Sequence, residues 1–371
     1  MAPAQVLLSP AELSYLQASL TATPPIRSDG RSDTQFRPLV AETDVLPAAN
    51  GSARICFSDG TEAIVGVKAE IAKSSSPEKA GGETEQEGSR GLGTANAGDD
   101  VNMDRDGEGG SPEAGSGGQG SDSWLEIAVE IPGFRDDDQM PVFLASMLSE
   151  ALLSDGKLRD RLYINSRFHW TLYVDILLLS AQLSYPLPLL SLTTHLAMLQ
   201  TRLPALISEK DEDPLFNDDW DAAFPLYPQL PAVSRPPITL LVMSVGNNIL
   251  FDPTQEELAV ADALLAVSVA ETRSNAGEKG ELSVVAIRAI DPPSRSTNPG
   301  IPDDMNTATG GTAPTSKEEA IARRESIDPR KVWTPPRGGI KRPMVGRMVK
   351  AVVEKGGVGW EIIEALDAVE R

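Results

Sequence analysis

Three extended runs between residues 26 and 71 limit what this chain can become more than any other feature of it. From 36 to 45 the side chains alternate, with Arg37, Leu39, Ala41, Thr43 and Val45 on one side and Phe36, Val40 and Glu42 on the other. Residues 51–57 (GSARICF) and 61–70 (TEAIVGVKAE) repeat that period, and Ser58-Asp59-Gly60 between them is a short glycine-containing hairpin loop. A period of two sends successive side chains to opposite faces, so three antiparallel strands follow. Just upstream, Arg27-Ser28-Asp29-Gly30-Arg31 reads as a turn, with Gly30 free to take positive φ and Asp29 placed to bond its own backbone.

The remaining length has to be sorted into foldable and unfoldable chain. Of the 371 residues 40% are apolar, enough for a core. Residues 74–123, however, are Gly, Ser, Glu and Asp with almost no large apolar side chain, and cannot bury enough surface to offset ordering entropy. That stretch is expected to be a disordered acidic insertion. An acidic, proline-rich insertion at 208–237, with Trp220, Phe224 and Tyr227 available to pin it to a surface, reads as a loop or a partner-binding strip. A third, low-complexity insertion covers 294–317. The folded domain is therefore expected in two pieces, 1–73 and 124–371.

Composition excludes several classes. A single cysteine, Cys56, rules out an internal disulfide and suits a reducing compartment, and two histidines, His169 and His195, leave no His-rich zinc site. The start MAPAQVLLSPAELSYLQ lacks the pattern of a secretory signal, and no apolar run approaches the roughly 20 residues of a membrane helix. A formal net charge of −21 speaks against a protein that coats nucleic acid. Residues 330–350 are the exception, with Arg330, Lys331, Arg337, Lys341, Arg342, Arg347 and Lys350 and no acid; RNA, an acidic neighbour and a solvated linker all fit that segment.

Further elements follow in order. Ser9, Pro10 and Glu12 form a capping box opening a helix with Leu13, Leu16 and Leu20 on one stripe, ending before Pro24. Residues 124–131 alternate as a strand. Residues 139–153 form an amphipathic helix preceded by Asp136-Asp137-Asp138 and closed by Gly156. Strands are expected at 162–164 and 170–179, a helix at 187–203, a hairpin at 238–244 and 248–251, and strands at 264–269 and 282–290. Helices close the chain at 317–325, 343–355 and 359–369. His169 and His195 read as packed residues, not catalysts. Ser76-Pro77, Ser111-Pro112 and Arg323-Arg324-Glu325-Ser326 match common kinase-site patterns of low specificity.

The RxDGR turn, the extended arm, GSA and the VGVKAE strand together resemble the opening of the RNase PH family. The likeness continues in LYINSRFHWTLYVDILLL at 162–179 and NILFDPTQEELAVADALLAVSVA at 248–270, and covers most of the chain outside the insertions. It implies an α+β fold of the RNase PH type, similar to ribosomal protein S5 domain 2, with mixed sheets and packed helices. Over 254–266 it implies a short turn followed by a strand, where the spacing alone also fits a helix.

Active members of that family cleave RNA from its 3′ end with inorganic phosphate, which requires cations or backbone N–H groups to gather two anions, and an acid by the departing oxygen. The glycine-rich anion loop corresponds here to 180–187 (SAQLSYPL), without glycine or arginine. The helix that would carry phosphate-binding arginines holds Ser146 and Glu150 instead. The acid pair is half present, as Asp252 with Leu258 six residues on. Asp252 and Glu257 are accordingly read as structural, capping and polarising the turn. Guanidinium groups and a carboxylate converging beside Leu258 would end the argument for a non-catalytic cleft.

The resemblance therefore implies a non-catalytic subunit of the hexameric ring of the RNA exosome, helping form the channel for 3′–5′ RNA processing and decay. It would pair with other RNase PH-like subunits, most directly the mRNA transport regulator 3-type subunit, under S1/KH cap proteins, in nucleus, nucleolus and cytoplasm. The alternatives are an active phosphate-dependent exoribonuclease and a regulatory protein reusing the fold. No catalytic residue, cofactor or metal is expected. Arg135, in the loop before the 139–153 helix, is the single candidate for contact with single-stranded RNA in the channel, against the plainer reading of a solvated arginine.

Overall fold

The computed structural model describes residues 8–74, 120–180, 184–208, 212–228, 234–272, 280–302, 304–325 and 332–370. Helix α1 (Pro10–Thr21) begins as its sequence dictates. Ser9 Oγ accepts the Glu12 N–H, Glu12 Oε2 accepts the Ser9 N–H at 2.7 Å, and Pro10 takes the first helical position. Leu13 and Leu20 are buried beneath it. At its far end Asn248 Nδ2 donates to the carbonyls of Leu20 and Ala22, each at 2.7 Å, satisfying acceptors that a helix terminus leaves open.

The first sheet has the order β1 (Leu39–Thr43), β2 (Gly51–Phe57), β3 (Glu62–Lys73), β5 (Phe168–Leu178) and β4 (Leu125–Glu130). β1, β2 and β3 are the expected antiparallel trio, paired Ala41↔Ile55 and Ile55↔Ala63. β3 runs antiparallel to β5 from Ala63↔Leu178 to Lys73↔Phe168, while β4 lies parallel to β5. A parallel pair needs a long crossover, and α2 (Gln139–Leu153) provides it. Its bounds are those expected, although the Asp138 side chain accepts the Arg135 N–H and does not cap the helix.

The expected strand at 162–164 is not there. Gly156, at φ 69°, turns the chain from α2 into a second short helix, α3 (Lys157–Leu162), and leaves Tyr163 as an isolated bridge to His169. Burial explains the difference: Leu158 and Leu162, one helical turn apart, both enter the core.

α4 (Leu187–Gln200) is buried all round and packs on β2 and β3 on one side and on the second sheet on the other. It ends three residues earlier than expected, where Arg202–Leu203 (β6) pairs with Phe224–Pro225 (β7). The second sheet has the order β11-β10-β8-β9, all antiparallel. It comprises β8 (Ile238–Val245), β9 (Asn248–Phe251), β10 (Ala263–Thr272) and β11 (Glu281–Ile290), with the one-turn helix α5 (Gln255–Leu258) between β9 and β10. The turn-then-strand expectation for 254–266 is the one realised.

α6 (Lys317–Glu325), α7 (Arg342–Val353) and α8 (Val358–Glu370) complete the described helices. The architecture is α+β, as expected. The 74–123 stretch lies outside the described residues apart from its ends, and with it both Ser-Pro sites. Ser326, Arg330 and Lys331 also lie outside.

Two hydrophobic clusters result. The larger is shared by the first sheet, α2, α4, α7, α8 and the near side of the second sheet. The smaller joins Leu13 and Leu20 of α1 to Leu241, Met243, Leu258 and Trp333. Within the larger one β2 passes so close to the end of α4 that a Cβ on Gly51 would sit 2.6 Å from Thr201 N.

Candidate functional site

The loop after α1 and the loop after β9 meet over an ionic cluster, built from residues more than two hundred positions apart. On the first loop an Asx turn forms, the Arg31 N–H donating to Asp29 Oδ1 at 3.1 Å with Gly30 at φ 75°. On the second, Asp252 has φ 47°, a left-handed conformation that aspartate tolerates better than most residues. That conformation lets its carbonyl and its carboxylate both accept from arginines. Thr254 and Glu257 then cap α5 reciprocally.

Arg27, its side chain fully buried, places every one of its N–H groups. Nε and an Nη2 hydrogen fork onto Glu257 at 2.8 and 2.7 Å, the second Nη2 hydrogen goes to Asp252 O at 2.9 Å, and the Nη1 hydrogens go to Phe251 O and Ser32 O. Arg31 donates to Asp29 and Gln35 O, and to both the carboxylate and the carbonyl of Asp252. Arg37 donates its backbone N–H and Nε to Asp252 Oδ2 and an Nη2 hydrogen to Oδ1 at 2.6 Å. It also reaches Asp59 and Ser184 Oγ, and its guanidinium lies 4.5 Å over the Phe57 ring. Burial works to lower the Arg37 pKa, but the carboxylates of Asp252 and Asp59 outweigh it and hold the group above its ordinary value. Burial likewise pushes the Asp59 carboxyl up, and the Thr61 N–H and Arg37 more than reverse that, leaving it below the usual range.

Guanidinium groups and carboxylates therefore do converge beside Leu258, the arrangement expected to be missing from a non-catalytic cleft, so an empty cleft is no longer the ground for that reading. Their state decides what they can do. Three guanidiniums face four carboxylates, so the cluster carries no excess positive charge to gather anions. Asp252 is 2% exposed and Glu257 0%. Both oxygens of each carboxylate are already accepting, which suits a clamp between two loops rather than an acid delivering a proton to a ligand.

The other expected positions lie as follows. From the stretch 180–187, residues 181–183 fall outside the described set; Ser180 Oγ accepts the Glu62 N–H and Ser184 Oγ meets Arg37. On α2, Ser146 is exposed, and Glu150 pairs with Arg288 of β11, a cation that reading α2 alone could not reveal. Arg135 is solvent-facing, with Nε 3.1 Å from Asp137. His169 stacks on Trp124 at 4.2 Å between centroids, and Nδ1 lies 2.9 Å from Ser74 Oγ; burial lowers its pKa. His195 is buried, its Nδ1–H donating to Pro236 O at 2.8 Å; burial drives its pKa down to about 4. Among the described residues no group of three His, Cys, Asp or Glu is placed to hold a metal ion.

The sequence reading treated Arg27 and Arg31 as turn residues and left Arg37 on a strand face, so it missed the cluster. The available signal was three arginines within eleven residues, too many for a solvated turn.

No family model matches the sequence. The exosome complex component RRP42 of Saccharomyces cerevisiae is 32% identical over 267 residues, which span 70% of this chain and 81% of that protein. The exosome complex component rrp42 of Schizosaccharomyces pombe is 30% identical over 278 residues, 71% of this chain and 78% of that protein. Among solved structures, an Archaeoglobus fulgidus exosome with RNA bound to the active site aligns at a TM-score of 0.48 and 20% identity, covering 76% of this chain and 87% of that one. On the extent of the two fungal matches, the chain belongs to the RRP42 family of exosome complex components.

Proposed function

We propose that this chain is a structural subunit of an exosome ring and contributes wall, not chemistry, to the channel through which RNA is fed for 3′–5′ processing and degradation. Membership of the RRP42 family supports the assembly. The observation that carries the non-catalytic part is the closed cluster: Asp252, the one acid kept from the family's active pattern, is buried and fully engaged by Arg31 and Arg37. A phosphate would have to displace carboxylates to reach a guanidinium there, at a cost that grows as the pair is removed from water.

In such a ring the neighbours are other RNase PH-like chains, most directly the mRNA transport regulator 3-type subunit, with S1/KH proteins capping one face. Nucleus, nucleolus and cytoplasm are the compartments where this assembly works. RNA passes as a single strand held by its phosphates, with Arg135 the residue of this chain assigned to touch it.

Co-expression with the other ring subunits, followed by mass measurement, tests the assembly; an RNA-shortening assay on the isolated chain, with and without inorganic phosphate, tests the chemistry. Stoichiometric incorporation and no phosphate-dependent shortening are expected. A stable lone chain that shortens RNA only when phosphate is present would overturn the proposal.

A further inference from the structure

Residues 204–208 leave the end of α4 and residues 212–228 return across the surface, and the backbone of these two stretches is held in place. The Ile207 N–H donates to Leu215 O at 2.7 Å, the Asn217 N–H to Ala205 O at 2.9 Å, and β6 pairs with β7. Side chains anchor it as well. Phe216 packs on Trp170 at 5.0 Å, Leu226 and Tyr227 are buried, and the Arg161 guanidinium covers the Tyr227 ring at 4.1 Å. Of the three aromatics expected to pin this segment, only Tyr227 does so.

What this fixed backbone turns outward is unusual. Leu206, Ile207, Leu215, Trp220 and Phe224 are all exposed, Leu215 at 62% and Trp220 at 49%. Large apolar side chains concentrated on one ordered segment mark a surface that another molecule covers. Around them, the described residues of 204–228 hold Glu212, Asp213, Asp218, Asp219 and Asp221 and no basic side chain. Asp213 is paired with Arg167 at 3.1 Å. The other four are exposed. Trp220 also borders an open groove of about 740 Å³, lined by Asp44, Asn50, Gln200 and Arg202 among others; Arg202 is its one cation.

An exposed indole flanked by Asp218, Asp219 and Asp221 suits a cation, because the ring face and the carboxylates attract the same charge. We propose that residues 204–208 and 212–228 form a docking strip for a basic, apolar-studded polypeptide segment of a partner protein. An arginine or lysine of that segment lies on Trp220 among the aspartates, and its aliphatic side chains cover Leu206, Ile207 and Leu215. Charge selects this occupant over RNA, whose phosphates the four solvated carboxylates repel. The ordered backbone lowers the entropic cost of binding. The inference rests on exposure and charge, and is independent of the exosome reading.

The test uses the full chain and a fluorescein-labelled peptide alternating arginine with leucine, its glutamate–leucine counterpart and poly(U) RNA, with fluorescence anisotropy at low and high salt. The basic peptide should bind, and Trp220→Ala should weaken it about ten-fold. Asp218→Asn with Asp221→Asn should lower affinity mainly at low salt. Equal affinity for wild type and W220A would overturn the proposal, as would tighter binding of the acidic peptide or of RNA. Concentration-dependent self-association that W220A abolishes would overturn it too, by making a second copy the occupant. W220A should still enter the ring in the co-expression assay; failure to enter would place the strip in a subunit interface and reject the peptide reading. The peptide assay needs no ring, so either result can fail alone.

Discussion

Replacing Asp252 with asparagine removes a charge while keeping a residue that accepts the left-handed conformation at φ 47°. The backbone should hold, so the variant isolates electrostatics. Four hydrogen bonds converge on this carboxylate, from Arg31 Nη1 and from the N, Nε and Nη2 of Arg37, at 2.6 to 2.9 Å. Both arginines are at least nine-tenths buried. Each arginine keeps one partly exposed carboxylate, Asp29 for Arg31 and Asp59 for Arg37, but loses its buried one, and weakening a buried ionic network in this way costs about 3 kcal/mol, the low end for a broken buried pair. That is a fifth or more of a typical folding free energy of roughly 5–15 kcal/mol. For a folded unit of this size it corresponds to a fall in Tm of about 10 °C. Urea unfolding followed by circular dichroism reads the effect directly, as a lower midpoint at unchanged slope. Adding Arg37→Gln to Asp252→Asn should recover about 1 kcal/mol or more, because the two changes share one interaction. A midpoint for D252N equal to or above wild type would refute the reasoning, since that is the behaviour of a strained site residue whose removal relaxes the fold.

Three other outcomes are expected. His195 has a folded-state pKa of about 4 against an ordinary 6.5, so the unfolded chain takes up the proton first. Stability is then lost as pH falls from about 6.5 towards 4, by up to ~3 kcal/mol, and His195→Gln should flatten that slope in pH-dependent thermal melts. Gly51→Ala puts a methyl group into the backbone of Thr201 and should destabilise by about 1–3 kcal/mol, measured by calorimetry; an unchanged melt would contradict the close approach. Arg135→Ala should leave thermal stability unaltered, its side chain being 81% exposed. In the assembled ring, however, it should reduce the slope of log affinity for single-stranded RNA against log salt by about 0.7.

Local chemistry made much of this fold readable in advance. Ser9, Pro10 and Glu12 specify a helix start without reference to anything distant, and Ser58-Asp59-Gly60 specifies a hairpin in the same way. α2 was delimited to the residue by its apolar spacing. Reading failed where the partner was remote. Arg27 looks like a turn residue until Glu257 is brought to it, and Glu150 looks like an unopposed acid until β11 places Arg288 beside it. At 162–164 the error was of period: three apolar residues cannot distinguish a strand from a helix end, and the buried pair Leu158 and Leu162 decided the matter. Asp252 and Glu257 were assigned a structural role in capping and polarising the turn; their arginines show a larger one.

The ionic clamp also sets an order of events during synthesis. Arg27, Arg31 and Arg37 emerge from the ribosome early, but the carboxylates they need at 252 and 257 are made some 215 to 230 residues later. At about 5–20 residues per second the first loop waits roughly 10–45 s for its counter-charges. Throughout that interval the amino-terminal hairpins have no lock on the second sheet. The clamp can close only after α5 has left the exit tunnel, and β10, β11, α7 and α8, which follow it and join the larger cluster, complete the fold later still.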